Sequence, residues 1–412
     1  MFGAGFRPRY LSVDKVNAMV RTKNEAAQYN GITEGVIWQQ LLIFFFPILL
    51  GTFFQQLYNT ADAMIVGKFV GKEALSAVGG TTGTLINLLV GFFVGVSSGA
   101  SVVVSQYYGA KQDRYVKIAV HTSLCVAILG GLALLVVGEL FTPMALRAMG
   151  APEEIMGYAV TYLRIYFLGT IGNLIYNMGA AILRAVGDSR RPLYFLIASC
   201  MTNIVLDLLF VVVFHMNVAG AAIATVVSQL GSGVLCVWYM RKHFEVLRME
   251  KDDWRLRKTE VLRLLGMGVP VGLQFSITAI GSMVMQSANN GLGSIYVSGF
   301  TAGMRIKQFA MCPFDALANG VSVFCSQNLG AGKIKRIRKG LWQGVGVGFI
   351  YGLLIGLVLI FAGRSLSMLF ISADQTAVLD ASAKYLRCLG FFYWSLGPLS
   401  VFRMSAQGMG FS

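Results

Sequence analysis

Long apolar blocks separated by short polar loops follow one another along the chain from about residue 37. Residues 37–66 contain a single charged side chain, Asp62, and residues 85–108 contain none. About 20 apolar residues are enough for an α-helix to cross the hydrocarbon core of a bilayer. The pattern therefore predicts an all-α membrane protein with ten spans, near residues 37–66, 76–107, 117–140, 158–183, 192–214, 218–240, 262–288, 294–327, 341–362 and 383–409.

The composition agrees with a chain that lies in a membrane. Of its 412 residues, 56% are hydrophobic and 13% are charged, whereas soluble domains carry about 25% charged residues. The histidines are scattered, the cysteines lie mostly inside apolar blocks without metal or redox spacing, and no nucleophile stands beside a base. We therefore expect no enzymatic activity, no metal site and no organic cofactor.

The basic residues are concentrated in alternate loops. The formal net charge is +15, but the Lys and Arg residues form no stripe with interleaved aromatics, so nucleic acid is not an expected partner. With the N-terminus taken as cytoplasmic, the loops on that side hold 24 Lys and Arg residues and the opposite loops hold four. The positive-inside rule then predicts a multi-pass protein of the cell membrane with its N-terminus in the cytoplasm.

An internal repeat divides the chain into two halves. Residues 47–122 resemble residues 270–343 at an offset of about 221–223, and each copy has a proline early in a span, Pro47 or Pro270. Transporters are often built from such repeats, with the substrate site between the halves. We expect a cytoplasmic leader at residues 1–35, an N-terminal lobe of six spans at 36–242, a linker at 243–261 and a C-terminal lobe at 262–412.

The second copy of the repeat contains four spans instead of six. Ser412 corresponds to Ser189 of the first copy, which is followed by two more spans. We therefore expect that about two helices of a twelve-helix parent are absent, and a native ten-span protein is the alternative. Pro47 and Pro270 each remove a backbone hydrogen bond and should kink their helices, either as hinges or as static bends.

Two acids lie in the outer halves of predicted spans, Asp62 in the first span and Asp207 in the fifth. An ionised carboxylate inside a span costs roughly 2.5–3.5 kcal/mol on insertion scales, so both acids are functional candidates. No basic residue lies near either acid within its span. Polar residues on the same helical faces or at a similar depth are candidate partners: Tyr58, Gln55, Asn203 and Thr225.

A carboxyl group in a dry cavity supplies a mechanism in outline. Desolvation disfavours the charged form, so the group can hold a proton until a cation or a conformational change displaces it. A cationic substrate and H⁺ or Na⁺ would then compete for one acidic pocket. The alternative is that Asp62 and Asp207 pair with neighbouring polar groups and only fix helix packing.

Several motifs, in their order and spacing, resemble the multidrug and toxic compound extrusion (MATE) family over residues 36–412. The motifs are the run Leu57-Tyr58-Asn59-Thr60-Ala61-Asp62, the Gln-x-x-Gly-Ala ends of spans two and eight, the run Leu183-Arg184-Ala185-Val186-Gly187-Asp188-Ser189, and the pair Asn203-x-x-x-Asp207. The resemblance implies a two-lobe helix bundle, with six helices per lobe in the parent, and a central cleft. It also implies rocking between outward-open and inward-open states.

The resemblance assigns roles to individual residues. By match of motif, Asp62 is the family's first-helix acid and Pro47 is its bending proline. Either H⁺ or Na⁺ is the expected coupling ion. The cation site that the resemblance implies in the N-terminal lobe consists of Tyr58, Asp62, Asn203, Asp207 and Thr225, with Tyr162 and Asn177 nearby.

The C-terminal half offers a weaker candidate, a residue that could line a cavity. Asp315 in the eighth span either lines a cavity or is neutralised by Arg305 or Lys307 as a structural pair. Some members of the family carry an acid shortly after the proline of the seventh helix, whereas residues 270–287 contain none. We therefore expect coupling through the acids of the N-terminal lobe.

The expected function is secondary antiport by a monomer that exports cationic organic compounds in exchange for H⁺ or Na⁺. A lipid-linked oligosaccharide flippase of the wider MOP superfamily is the alternative. The basic residues of the eighth span favour the flippase, whereas the acids of the N-terminal lobe favour the cation exporter. A membrane enzyme or scaffold has no supporting motif. Apart from the substrate, membrane lipid is the one expected partner.

Overall fold

The computed structural model describes residues 32–79, 81–150, 152–248 and 257–411, and within these residues the regular structure is entirely helical. Most of the predicted leader and part of the predicted linker fall outside the described residues. A π-helical turn, Leu208–Val213, continues α7, and a 3₁₀ turn, Glu245–Leu247, follows α8. In chain order the helices are α1 (Ile37–Phe69), α2 (Lys72–Gly79), α3 (Thr81–Gly109), α4 (Asp113–Ala148), α5 (Glu153–Leu168), α6 (Thr170–Ala185), α7 (Arg190–Asp207), α8 (Asn217–His243), α9 (Lys258–Asn290), α10 (Ser294–Gly330), α11 (Ile334–Ser367) and α12 (Thr376–Met409).

The helices confirm the predicted all-α membrane fold. Eight of the described helices are long and apolar enough to cross a bilayer, and α5 with α6 forms a ninth span that bends by 52°. The bend lies at Gly169, where a Cβ would come within 2.5 Å of the side chain of Val226 on α8. Helix α12 is 34 residues long but is not among the candidate spans. The ten predicted spans therefore agree approximately with the structure, and the last is the least apolar.

Helices α3 and α10 finish at the same end of the bundle and touch each other there. A Cβ on Gly109 would overlap the carbonyl group of Gln327, and a Cβ on Gly330 would overlap that of Gln106. Glycine is therefore required at both positions for this close approach. The loops that follow the two helices are rich in Lys and Arg, and we call this end of the bundle the basic end.

Helix α1 packs on both halves of the protein. Leu41, Phe44 and Ile48, in its first part, belong to a buried cluster formed with α10, α11 and α12. Val66, in its last part, belongs to the large buried cluster of the N-terminal helices. The change of partner follows Pro47, through which α1 continues as a helix.

The segment before α1 is also attached to the C-terminal half. Arg336, near the start of α11, donates hydrogen bonds to the backbone oxygens of Ile32, Glu34 and Gly35, at 3.2, 2.9 and 2.8 Å. The side chain of Ile32 is buried in the same cluster as the first part of α1. The segment before α1 is therefore fixed to the C-terminal half, and α1 runs from there into the N-terminal half.

Helix α9 of the C-terminal half likewise packs on the opposite half, against α3. Gly95 and Gly99 of α3 face Gly272 and Gly268 of α9, and a Cβ on Gly95 would lie 2.5 Å from the Cα of Gly272. Small residues four positions apart let two helix backbones touch inside a membrane. At Gly91, one turn farther from the basic end, a Cβ would lie 4.0 Å from the Cβ of Phe275 on α9, which is an ordinary van der Waals contact. The backbones of the two helices are thus in closer contact at Gly95 and Gly99 than at Gly91.

The sequence repeat relates these two crossings. The first part of α1 packs on α10, and the first part of α9 packs on α3, the helix that corresponds to α10 in the other copy. Pro47 and Pro270 occupy corresponding positions inside the two crossing helices, and both helices are continuous through them. A hinge at either proline stays a prediction.

Candidate functional site

The two acids predicted from the sequence meet inside the N-terminal half. Asp62 comes from α1 and Asp207 is the last residue of α7, and both side chains are buried. Their carboxyl groups lie within hydrogen-bonding range of each other. An ionised carboxylate can only accept hydrogen bonds, so two carboxyl groups share a hydrogen bond only when one of them is protonated. The arrangement therefore suits one proton shared between the two acids.

A local change in helix geometry places Asp207 at this point. The π-helical turn Leu208–Val213 begins directly after it, and the backbone N–H of Phe214 donates to the oxygen of Leu209 over 3.0 Å. π-Helical turns interrupt the regular α-helical hydrogen bonds and occur often at functional sites. Asp207 thus ends the regular part of α7 at the level of Asp62.

Neutral polar side chains of α1, α7 and α8 surround the acid pair. Asn203, one turn before Asp207, is fully buried and donates from Nδ2 to Oγ1 of Thr225 over 3.4 Å. The hydroxyl group of Tyr58 lies beside the same threonine hydroxyl. These three residues were predicted, and the structure brings all of them to the acids.

Two tyrosines of α5 complete the wall of the site. Tyr162 is buried and lies within electrostatic range of Asp62, Asp207 and Tyr58. The ring of Tyr166 stacks on that of Tyr162, with 6.2 Å between the ring centroids and 22° between the ring planes. Tyr166 was missed in the sequence, although its spacing of four residues from Tyr162 places both on one helical face.

The carboxyl groups of the acid pair interact with each other and with the neighbouring tyrosines. One oxygen of Asp62, Oδ1, is buried without a hydrogen-bond partner among the described residues. No group of three His, Cys, Asp or Glu side chains with the geometry of a metal site occurs in those residues either. The site therefore suits a proton or a cationic group that is not held by a dense set of protein ligands.

Two other predicted site residues, Gln55 and Asn177, have different surroundings. Gln55 on α1 is exposed, and no contact within the described residues joins it to the acids. Asn177 on α6 donates from Nδ2 to the backbone and side-chain oxygens of Asn173, at 2.9 and 2.7 Å. The contacts of Asn177 hold it within its own helix.

Asp315 has a different basic neighbour from the two that the sequence indicated. Its carboxyl group is exposed on α10 and interacts electrostatically with Arg403 of α12. Arg305 and Lys307 stand on the same helix as Asp315 but do not appear among its partners. The electrostatic partner that the structure gives Asp315 thus lies on another helix, which local spacing does not reveal.

Hydrogen bonds from corresponding positions of the two repeats connect the two halves at the basic end. The side-chain amide of Gln106 in α3 donates to the backbone oxygen of Gly408 in α12 over 3.2 Å. The amide of Gln327 in α10 donates to the backbone oxygen of Ala185 in α6 over 2.6 Å. Ser326 also donates to the oxygen of Gly408, over 2.9 Å. Each half thus contributes one glutamine that binds the other half.

Helix α9 adds a second set of contacts at the same end. Arg263 donates from Nη1 to the hydroxyl of Tyr107 over 2.7 Å and from Nη2 to Oε1 of Gln106 over 3.3 Å. The hydroxyl of Tyr107 donates in turn to the carboxylate of Glu260, 2.9 Å from Oε2. The basic end is therefore closed by polar contacts, whereas the middle of the α3–α9 crossing is closed by glycines.

Comparisons with known proteins agree with this architecture. The family described as MatE matches residues 47–209 and 270–412. The protein named probable multidrug resistance protein YpnP, from Bacillus subtilis (strain 168), is 32% identical over 371 residues, which are 89% of this chain and 81% of that protein. The probable multidrug resistance protein YoeA of the same strain is 30% identical over 348 residues, or 82% and 75% of the two chains.

The fold also resembles that of solved structures. A structure described as the outward-facing conformation of a multidrug resistance MATE family transporter of the MOP superfamily superposes with a TM-score of 0.86. The match covers 93% of this chain and 85% of the other, at 21% sequence identity. At this identity the superposition establishes a shared fold.

Proposed function

Because the chain belongs to the MatE family of membrane transporters, we propose that it exports cationic organic compounds in exchange for protons, by alternating access. Membership of this family supports multidrug efflux by a transporter and not by an enzyme. The observation that supports the finer proposal is that the buried carboxyl groups of Asp62 and Asp207 lie within hydrogen-bonding range of each other.

The shared proton supplies the exchange step. In the proposed proton-bound state one acid holds the proton and the other accepts its hydrogen bond. When the proton leaves, the two carboxylates repel each other, and an organic cation between them relieves this repulsion. Charges interact strongly at a buried site because little water screens them. Rebinding of a proton restores the hydrogen bond and releases the cation, so that the two ligands exclude each other.

Sodium is the second candidate for the coupling ion. Oxygen atoms of Asn203, Thr225 and Tyr58 lie beside the acids, and oxygen ligands suit hard cations. The two carboxyl groups nevertheless lie within hydrogen-bonding range of each other, which suits a shared proton at the position where the ion would bind. This arrangement favours H⁺ over Na⁺.

The charge distribution gives the proposed orientation. The loops of the basic end carry most of the Lys and Arg residues, and the positive-inside rule places that end in the cytoplasm. The contact between α3 and α9 is tight toward the basic end and looser at Gly91. In this orientation the chain adopts an outward-open state, with its N-terminus in the cytoplasm of a cell-membrane protein.

The proposed motion is a rocking of residues 36–242 against residues 262–412. The hydrogen bonds of Gln106 and Gln327 to the opposite half must break before the basic end opens. A single hydrogen bond contributes about 0.5–1.5 kcal/mol net. A small number of such bonds holds the closed state without making it irreversible, as a transport cycle requires.

The flippase alternative is not favoured. A flippase for anionic pyrophosphate lipids needs basic side chains along its cavity, whereas the buried site here is built around two acids. Arg403, which is exposed on α12, already has Asp315 as an electrostatic partner.

Ethidium uptake into everted membrane vesicles tests the proposal. Vesicles that are acidic inside, and separately vesicles loaded with Na⁺, would carry the wild-type protein, Asp62→Asn or Asp207→Asn. Asp380→Asn is the matched control, because Asp380 is an exposed acid that pairs with Arg364. We expect uptake driven by the pH gradient in the wild type and the control, and little or none in the two other variants. Equal uptake in all four proteins would remove the acid pair from the mechanism.

A further inference from the structure

A groove on the surface of the N-terminal half runs between α6 and α8 toward the basic end. Its volume is about 590 Å³, within the range of about 300–1,000 Å³ that is typical of small-molecule sites. Helix α8 packs here against α5, α6 and α7, which are all N-terminal elements. The side chains of α8 that line the groove recur every three or four positions and so form one helical face: Leu230, Gly233, Val234, Val237, Trp238 and Arg241.

Glycines form the floor of this groove. A Cβ on Gly233 would lie 2.9 Å from the backbone oxygen of Gly172, and a Cβ on Gly172 would lie 2.6 Å from the side chain of Leu230. Helices α6 and α8 therefore touch at these glycines, and the larger side chains beside the glycines form the walls of the groove. Val234 is 67% exposed, so this apolar wall is not covered by the described residues.

Three cations surround the end of the groove that lies at the basic end. Arg241 and Lys242 come from the last turn of α8, and Arg248 follows the 3₁₀ turn. That turn is fixed to the protein because Val246 and Leu247 are buried in the core of the N-terminal half. None of the three cations lies within 4 Å of a carboxylate of the described residues, whose ion pairs involve other side chains.

An aromatic residue lies between the apolar wall and the cations. Trp238 is half exposed, and the Nζ of Lys242 lies 4.7 Å from the centroid of its ring. Tryptophan is enriched where hydrocarbon meets the polar headgroups of a membrane. The apolar part of the groove then lies at the depth of acyl chains, and the three cations lie at the depth of phosphate groups.

We propose that this groove binds one anionic glycerophospholipid from the bilayer. An acyl chain lies against Ile175, Leu230 and Val234, and the phosphate group interacts with the three cations. Basic pockets between membrane-spanning helices bind anionic headgroups, and the positive charge that the described residues leave without a carboxylate partner distinguishes such a lipid from a neutral one. A bound lipid also covers an apolar surface that the described residues leave open.

Native mass spectrometry of the purified protein tests this site. The protein would be equilibrated with mixed phosphatidylglycerol and phosphatidylcholine vesicles, and the retained lipid counted. The variant R241Q/K242Q/R248Q removes the three cations of the groove. The matched control K335Q/R338Q/K339Q removes three exposed cations of α11 at the same end of the bundle. We expect at least tenfold less retained phosphatidylglycerol in the first variant and little change in the control.

A second variant separates the groove from general charge attraction. Val234→Trp fills the apolar wall and keeps all three cations, and Val227→Trp is its control on an exposed part of α8 outside the groove. We expect Val234→Trp to reduce lipid retention severalfold, with thermal stability unchanged, and Val227→Trp to reduce it little. Equal losses in a variant and its control, or no loss in either groove variant, would overturn the proposal. Displacement of the lipid by soluble glycerophosphoglycerol at matched concentration would also overturn it.

Discussion

The side-chain amide of Gln327 donates a hydrogen bond across the closed end of the bundle to the backbone oxygen of Ala185, 2.6 Å away. The repeat supplies its counterpart, Gln106, which donates to the oxygen of Gly408 over 3.2 Å. Each bond links the two halves and must break in the proposed rocking motion. The two glutamines therefore affect the balance between the conformations, although they lie far from the acid pair.

Replacement of Gln327 by alanine should shift the protein toward the state in which the basic end is open. One hydrogen bond contributes about 0.5–1.5 kcal/mol, so the shift in population should be about two- to tenfold. Electron–electron double resonance between spin labels on the two sides of the cleft would measure it. Gln112→Ala, an exposed change in the loop after α3, should leave the distances unchanged. Identical distance distributions in Gln327→Ala and the wild type would argue against this role.

The glycines of the α3–α9 crossing should be intolerant of even one added carbon. Gly99→Ala puts a Cβ against the backbone of Gly268, and overpacking of this kind costs about 1–3 kcal/mol. Gly281→Ala on α9 is the control, because a Cβ there has nothing within 4 Å. Thermal unfolding in detergent should show a lower Tm for the first variant and little change for the second. An equal loss of stability in Gly281→Ala would show that the contact between α3 and α9 is not the cause of the lower Tm.

Asp315 should not take part in proton coupling. It already interacts with the guanidinium group of Arg403, so neutralisation of the acid removes a partner of Arg403 and leaves the Asp62–Asp207 pair intact. Ethidium uptake by Asp315→Asn should therefore keep its dependence on the pH gradient, with at most a severalfold change in rate. Uptake that no longer responds to the gradient would place Asp315 in the coupling pathway.

The sequence predicted those features that depend on local pattern or on the repeat. Hydrophobic blocks gave the helices, and the cost of a charge in a membrane identified Asp62 and Asp207. Helical spacing linked Asn203 to Asp207 and Tyr58 to Asp62. Each of these inferences depends on the distance between residues along a single helix, which the sequence gives directly.

Other features depend on contacts between distant helices, and local spacing does not specify them. The π-helical turn after Asp207 occurs in a run of apolar residues that is equally compatible with an α-helix. The partner of Asp315 is Arg403 on another helix and not a base on its own helix. The crossing of α1 and α9 onto the opposite halves likewise becomes visible only when the two halves are assembled.

A count of protons released when an organic cation binds tests the central claim most directly. Purified protein in weakly buffered solution would be titrated with ethidium, with proton release followed by calorimetry in buffers of different ionisation enthalpy. The account predicts release of about one proton per ethidium bound, and an affinity that rises about tenfold per pH unit while the pair holds its proton. Asp207→Asn should release none. Binding of ethidium to the wild-type protein without proton release would contradict the exchange of a proton for a cation at Asp62 and Asp207.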